Sequence, residues 1–269
     1  MKEIKDYKDF YESRYSSKLQ GNLERIRAFH DADNRSFFWD LLRWKIFRNQ
    51  FRVLDLGGGW AIHCELASSR FRDLKIIKTD FSLVSLSNLK YKLGPYYNPA
   101  LSCVVCNGEN LPFSSNHFDV ILFSQVLEHI PDDDKALLEC YRILKKDGIL
   151  ILAVPNCFKD MYKFFHPLEK VFDESGHIHE YCLDLIQHKL LGSGFKINKH
   201  RYHCFFVFWA LAGLERTGFS KSVQAFLSKR AELEKVVEYL ITALLFIENL
   251  ILGHTSRGSM SIEFVAVKK

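Results

Sequence analysis

No cysteine set in this chain is spaced to hold a metal. Of its seven cysteines, Cys103 and Cys106 are three apart, but no second such pair accompanies them. Like Cys64 they fall in apolar segments, where a free cysteine behaves as a small hydrophobe. That usage fits a reducing, cytoplasmic setting. Long hydrophobic runs are also missing. The longest uncharged apolar stretch, Cys204 to Leu214, is too short to span a bilayer. The opening Met1-Lys2-Glu3-Ile4-Lys5-Asp6 is too charged for a secretory leader. There is no block of one charge sign. The net charge is only +5, and lysine and arginine are interleaved with acids, so no nucleic acid partner is expected. Internal repeats and low-complexity linkers are absent. What is left is a chain of 269 residues, 48% hydrophobic and 26% charged, the make-up of an ordinary globular domain with room for a substantial core.

The informative part begins at Val53-Leu54-Asp55-Leu56-Gly57-Gly58-Gly59-Trp60-Ala61. A short apolar strand runs into a glycine cluster, and a helix-like segment follows. Glycine lets the backbone turn sharply and approach a ligand closely. A second strand, Lys75 to Asp80, ends in an acid about 20 residues on, the spacing at which a carboxylate takes ribose hydroxyls. Ser82 can cap a following helix with Leu83, Leu86 and Leu89 on one side. A third strand, Leu101 to Cys106, enters Asn107-Gly108-Glu109-Asn110-Leu111-Pro112-Phe113. A fourth, Phe118 to Phe123, enters Ser124-Gln125-Val126-Leu127-Glu128-His129-Ile130. A helix is expected from about Pro131 to Lys146. Its acids stand at the amino end, its lysines at the carboxyl end, and Leu137, Leu138, Tyr141 and Leu144 on its buried face. Gly148 then starts a fifth strand, Ile149 to Val154.

This ordered set, completed by Arg142-Ile143-Leu144-Lys145-Lys146-Asp147-Gly148, resembles the class I S-adenosylmethionine-dependent methyltransferases. It is most similar to the small-molecule type that includes quinone-biosynthesis enzymes. The resemblance is firm from about Arg52 to Asn156. It implies an α/β, Rossmann-like fold: a seven-stranded, mostly parallel sheet with one antiparallel strand and helices on both faces. It also implies S-adenosyl-L-methionine as cofactor. Gly57, Gly58 and Gly59 would carry the methionine end and Asp80, with Phe81 beside it, the ribose. Asp55, Asn107, Gly108, Glu109, Ser124 and Gln125 would complete the cofactor site. Two positions depart from the family pattern. Ala61 stands where a third glycine is usual. Asn107 stands where an acid usually meets the adenine amino group, and an Asn can still accept and donate there.

An activated methyl group asks the protein mainly for alignment and exclusion of water, and for a base if the acceptor is an oxygen. The candidates are His129, His177, His179 and Glu180, with His177 taken as the catalytic residue. The pair His177 and His179 has a spacing seen in metal sites, but no third and fourth ligand accompany it, so no metal is expected. Glu128 and His129 are read as positioning the loop that lines the methionine end.

A sixth strand is expected from Phe195 and a seventh over Ser259 to Val267. About fifty residues separate them, where the family normally has a hairpin. Two helices are expected there, near Ser220 to Arg230 and Ala231 to Leu252. The division is then an N-terminal helical extension over 1–50, a methyltransferase domain over 51–204 and 257–269, and a helical cap over 205–256. Phe164, Phe165, Phe205, Phe206, Phe208 and Trp209 bring aromatic surface to the acceptor side, either as cap core or as an apolar acceptor pocket. The favoured acceptor is a small, lipophilic molecule, with peripheral membrane contact compatible. Methylation of protein or RNA, and cofactor binding without catalysis, are the alternatives.

Overall fold

A computed structural model describes the protein at residues 27–58, 63–87, 89, 101–157, 177–203, 207, 210, 219–255 and 259–269. Gly59, Trp60, Ala61, the first 26 residues and the aromatics Phe164, Phe165, Phe205, Phe206, Phe208 and Trp209 lie outside the described residues. Seven strands form one sheet: β1 (Arg52–Leu56), β2 (Lys75–Asp80), β3 (Ser102–Val105), β4 (Phe118–Ser124), β5 (Leu144–Pro155), β6 (Phe195–His203) and β7 (Ser261–Lys268). Their order across the sheet is β3-β2-β1-β4-β5-β7-β6. The first five run parallel, and β7 is antiparallel to both β5 and β6. This is the expected mixed sheet.

Strand alternation divides the core between two faces. Leu54, Leu56, Ile121, Phe123 and Leu152 pack with Leu137, Cys140, Ile186 and Leu190. The last four belong to α4 (Asp133–Ile143) and α5 (Leu183–Gly192). Val53, Val120, Leu122 and Ile151 pack with Phe37, Leu41, Cys64 and Ala67, from α1 (Arg27–Arg43) and α2 (His63–Arg70). Inner strands buried on both sides need apolar residues at every position, and β4 supplies them in Val120 to Phe123.

Several expected details shift. The helix α4 begins after Asp132, whose carboxylate accepts the Lys135 N–H at 3.0 Å. It stops at Ile143, because Leu144 is already extended and pairs with Phe118. Pairing resumes at Ile149 opposite Val120, so Lys145 to Gly148 loop out of β5, with Asp147 at φ 60°. The buried stripe of α4 is Ala136, Leu137, Cys140 and Ile143, and Leu138 is exposed. After Ser82 the chain forms α3 (Leu83–Ser87). Leu86 and, further along, Leu89 are buried, whereas Leu83 is exposed.

Between β6 and β7 the chain forms α6 (Phe219–Leu227) and α7 (Ala231–Leu252). The helix α7 lies along α1: Arg35 Nε donates to Glu238 at 2.7 Å, and the Trp39 and Phe246 rings meet edge to face. A buried ionic chain ties α1 to the far edge of the sheet. Arg201 of β6 reaches Asp40 of α1 at 2.6 Å and Glu263 of β7 at 2.7 Å, and His203 Nδ1 lies 3.0 Å from Glu263. The opposite face of α7 leaves Val236, Leu240, Leu244, Ile247 and Ile251 exposed. Among the described residues, no helix is long and apolar enough to cross a membrane.

Candidate active site

The strand order changes direction between β1 and β4, the point where open α/β sheets bind ligands at their carboxyl edge. Gly57 leaves β1 with φ +70°, a conformation that favours glycine. A Cβ there would lie 2.5 Å from the Val126 side chain. At Gly58 a Cβ would collide with the carboxylate of Asp55. The Gly58 N–H is anchored to the Thr79 carbonyl at 3.1 Å. The loop therefore passes tightly between Asp55 below and Val126 of the β4 loop beside it.

Asp55 does not stand alone beneath the loop. Its carboxylate pairs with Lys78 of β2, and Lys78 also lies 3.3 Å from Glu65 of α2. All three are buried. Burial disfavours the lysine charge, but Asp55 and then Glu65 outweigh it and hold the ammonium pKa above its ordinary value. Burial pushes the Glu65 carboxyl up, with Lys78 opposing. Lys78 went unnoticed in the sequence. The signal was available, since a lysine inside a strand covered on both faces must find acids.

Asp80 ends β2 and is buried. Its carboxylate accepts the Ser82 N–H at 2.9 Å, and Ser82 Oγ in turn accepts the Ser85 N–H at 3.2 Å. Phe81 is half-buried beside it. On the next loop Asn107 Oδ1 accepts the Glu109 N–H at 3.0 Å, and its Nδ2 lies 3.4 Å from Glu109 Oε2. Glu109 Oε1 accepts the Asp132 N–H at 3.0 Å, so this acid ties its loop to the start of α4. Gly108 is buried, and a Cβ on it would press on Ile130 at 2.6 Å. Ser124 is half-buried at the end of β4. Gln125 has φ 57° and donates through Nε2 to Ser261 Oγ at 3.0 Å.

Past Gln125 the chain makes a short 3-10 turn, Leu127–His129. The segment 177–179 is clamped to it: the Ile178 and His179 N–H groups donate to the Glu128 carbonyl at 2.9 and 3.2 Å. His179 Nε2 is spent on the Ile130 carbonyl at 2.9 Å. His177 instead faces His129, with ring centroids 4.8 Å apart. Each imidazole places Nε2 3.9 Å from Glu128 Oε1. The Glu128 side chain is 1% exposed, and neither of its oxygens accepts a hydrogen bond. Burial pushes its pKa up to about 8. Glu180 is exposed. The structure thus brings together His177, His129 and Glu128. It leaves His179 as a tether for the segment. Behind them Tyr181 donates to Asp133 at 2.7 Å. A depression lined by Arg52, Lys75, Ser102 and His117 lies at the other, amino end of the strands, away from the glycine loop.

Residues 54–152 match a family model described as a methyltransferase domain. The chain is 31% identical over 165 residues to the ubiquinone/menaquinone biosynthesis C-methyltransferase UbiE of Citrifermentans bemidjiense, covering 53% of this chain and 70% of that protein. It is 34% identical over 107 residues to the UbiE protein of Rickettsia prowazekii, where it spans 37% of this chain and only 42% of the relative. Among solved structures, phosphoethanolamine N-methyltransferase 2 of Haemonchus contortus, in complex with S-adenosyl-L-methionine, superposes with a TM-score of 0.60. That match has 20% identity and covers 85% of this chain and 51% of that one. A bare, tightly walled glycine loop at the switch point, next to an acid ending the neighbouring strand, fits such a nucleoside ligand. The chain belongs to the class I S-adenosylmethionine-dependent methyltransferases.

Proposed function

We propose that the protein transfers the methyl group of S-adenosylmethionine to a small, lipophilic acceptor. One observation carries the cofactor half of this reading: Gly57 and Gly58 leave no room for a Cβ, and Asp80 ends the adjacent parallel strand. In this reading Gly57, Gly58 and Gly59 receive the methionine end, and Asp80 accepts the ribose hydroxyls. Asn107, Gly108 and Glu109 shape the adenine side through their hydrogen-bonded turn. Phe81 walls the ring, and Ser124 and Gln125 border the methionine end. Asp55 acts from beneath, holding the loop through Lys78. When bound, the sulfonium supplies a methyl group already activated for transfer, and the protein's task is alignment in a dry site.

The acceptor half draws on two observations. The relatives are named for ubiquinone and menaquinone biosynthesis. The helix α7, in the insertion, also carries an exposed apolar face of Val236, Leu240, Leu244, Ile247 and Ile251, suited to contact with a lipid surface or a long apolar tail.

The test has two arms. Calorimetry with S-adenosylmethionine and S-adenosylhomocysteine should give micromolar binding, and ATP and NAD should give none. Labelled methyl transfer to a panel of quinol, isoprenoid and polar acceptors, with and without liposomes, should favour the lipophilic members. Absence of heat with either sulfur ligand would sink the cofactor assignment. Turnover confined to polar acceptors would sink the lipophilic one.

A further inference from the structure

We infer that Glu128, His129 and His177 form a three-ligand site for a divalent cation of the zinc type, beside the loop that receives the cofactor. The donor atoms lie within 4.8 Å of one another, and they come from chain segments 48 or more residues apart. Zinc bonds to imidazole nitrogen and carboxylate oxygen are about 2.0–2.2 Å long, so neighbouring donors in a tetrahedron sit about 3.3–3.5 Å apart. Both histidines already place Nε2 3.9 Å from the same Glu128 oxygen. A contraction of about half an ångström toward Glu128, and of up to about 1.5 Å between the two imidazole donors, would complete the three protein bonds.

Two features make this a built site. The first is the clamp. Three hydrogen bonds, from the Ile178 N–H, the His179 N–H and His179 Nε2, fix segment 177–179 to the turn at 128–130, so His177 is presented by a held backbone. The second is Glu128 itself. It is 1% exposed, yet neither carboxylate oxygen accepts a hydrogen bond. A buried carboxylate without donors is costly, and a cation resolves that cost. The histidines are each about a fifth exposed, so the acid forms the floor and the imidazoles the rim. Three protein ligands with an open outer side are the arrangement of a catalytic metal, whose remaining position takes water or substrate. One mixed acid and two imidazoles suit zinc and its neighbours better than magnesium or calcium, which favour all-oxygen sets.

The location follows from the chain. Val126, two residues before Glu128, is the side chain that walls Gly57. A cation here would stand next to the methionine end and could hold an acceptor oxygen, lowering the pKa of a bound hydroxyl. That is the work expected of His177 as a base, done by the site as a whole. This role rests on the methyl-transfer reading; cation binding itself does not.

The experiment uses the full chain, stripped of metal by chelator and kept reduced so that its cysteines are not oxidised. Calorimetry should show about one equivalent of Zn2+ bound far more tightly than Mg2+ or Ca2+. Co2+ should give visible absorption bands of a low-coordinate site. Glu128→Gln and the pair His129→Ala with His177→Ala should each weaken Zn2+ binding by about tenfold or more. His179→Gln should not abolish it. Binding of S-adenosylhomocysteine to each variant, measured without metal, reports that the fold and cofactor site are intact. Zn2+ binding that is absent, or equal in wild type and in the folded variants, overturns the proposal and leaves the methyl-transfer reading standing. Loss of S-adenosylhomocysteine binding in the wild type would instead count against that reading.

Discussion

Two groups of buried acids lie close together at the carboxyl edge of the sheet, and they are neutralised differently. Under the glycine loop, Asp55 and Glu65 share Lys78, a cation supplied by the chain itself. Beyond β4, Glu128 has two histidines at 3.9 Å and no hydrogen bond to either oxygen. The first group has its cation within the chain and lies against Gly58 of the loop. The second has its donors converged and lacks the positive charge. A buried acid paired within the chain is a structural element, whereas one surrounded by convergent ligands is a site. The contrast also says which substitutions should damage the fold and which should damage only binding.

The largest effect is expected at Lys78. Lys78→Ala would leave two buried carboxylates without their partner, and breaking a buried pair in this way costs about 3–5 kcal/mol. Urea or guanidinium denaturation at neutral pH should read it as a lowered midpoint. The loss should shrink on mild acidification, because protonating Glu65 removes one of the orphaned charges. A variant as stable as the wild type at neutral pH would mean that Lys78 is not the counter-ion of the loop's floor.

Asp80→Ala touches the same edge with the opposite signature. A lost hydrogen bond to a charged group is worth about 1.5–3 kcal/mol, so affinity for S-adenosylhomocysteine should fall about tenfold to a hundredfold. Within the fold the replacement removes the bond from the Ser82 N–H. Calorimetry on the two variants together separates a loop held from below from a ligand held from above. Unchanged affinity in Asp80→Ala would remove the acid from the ribose.

How much of this was legible in the sequence follows the same division. Gly57, Gly58 and Asp80 could be read because each occupies a place where the chain turns at the end of an apolar run, and such punctuation is local. Lys78 could not be read that way, since its partners come from β1 and from α2. His177 was visible as a candidate, but its meeting with His129 and Glu128 depends on backbone bonds between segments 48 or more residues apart. Likewise nothing near Asp40 foretold Arg201, which lies on β6. Charges that settle in a core are paired by tertiary contact, and local pattern carries no record of it. The helix ends failed for a smaller reason. Lys145 and Lys146 look like the carboxyl end of a helix, but Leu144 is taken by pairing with Phe118, and strand formation stops the helix three residues earlier, at Ile143.

The far edge of the sheet offers a pH test. His203 faces Glu263 and lies beside Arg201, with His63 also near. Burial first, then the charges of Arg201 and His63, hold its pKa well below the ordinary 6.5. Below about pH 6.5 the unfolded chain takes up a proton that the folded chain refuses. Stability from this group is therefore present above that pH and lost as pH falls, at about 1.4 kcal/mol per pH unit for one proton. Asp40 and Glu65 act in the opposite sense, because burial raises their pKa values. The difference between wild type and His203→Gln, followed by denaturation from pH 8 to 5, isolates the histidine. Parallel curves would show that His203 is charged in the fold.

The smallest effect on stability is expected where the comparison began. Burial raises the Glu128 pKa to about 8, so in the metal-free fold at neutral pH its carboxyl is mostly protonated, and the amide nearly matches it in shape. Replacing a buried carboxyl that is already largely neutral by an isosteric amide changes the desolvation cost little. In metal-free protein the variant should therefore be as stable as the wild type or slightly more so, within about 1 kcal/mol. Added Zn2+ should then separate the two proteins: it should raise the melting temperature of the wild type, since a ligand that binds only the folded state stabilises it, and leave Glu128→Gln nearly unmoved. A large loss of stability in the metal-free variant would show that Glu128 is held by contacts within the chain, as Asp55 is, and the distinction between the two acids would fall.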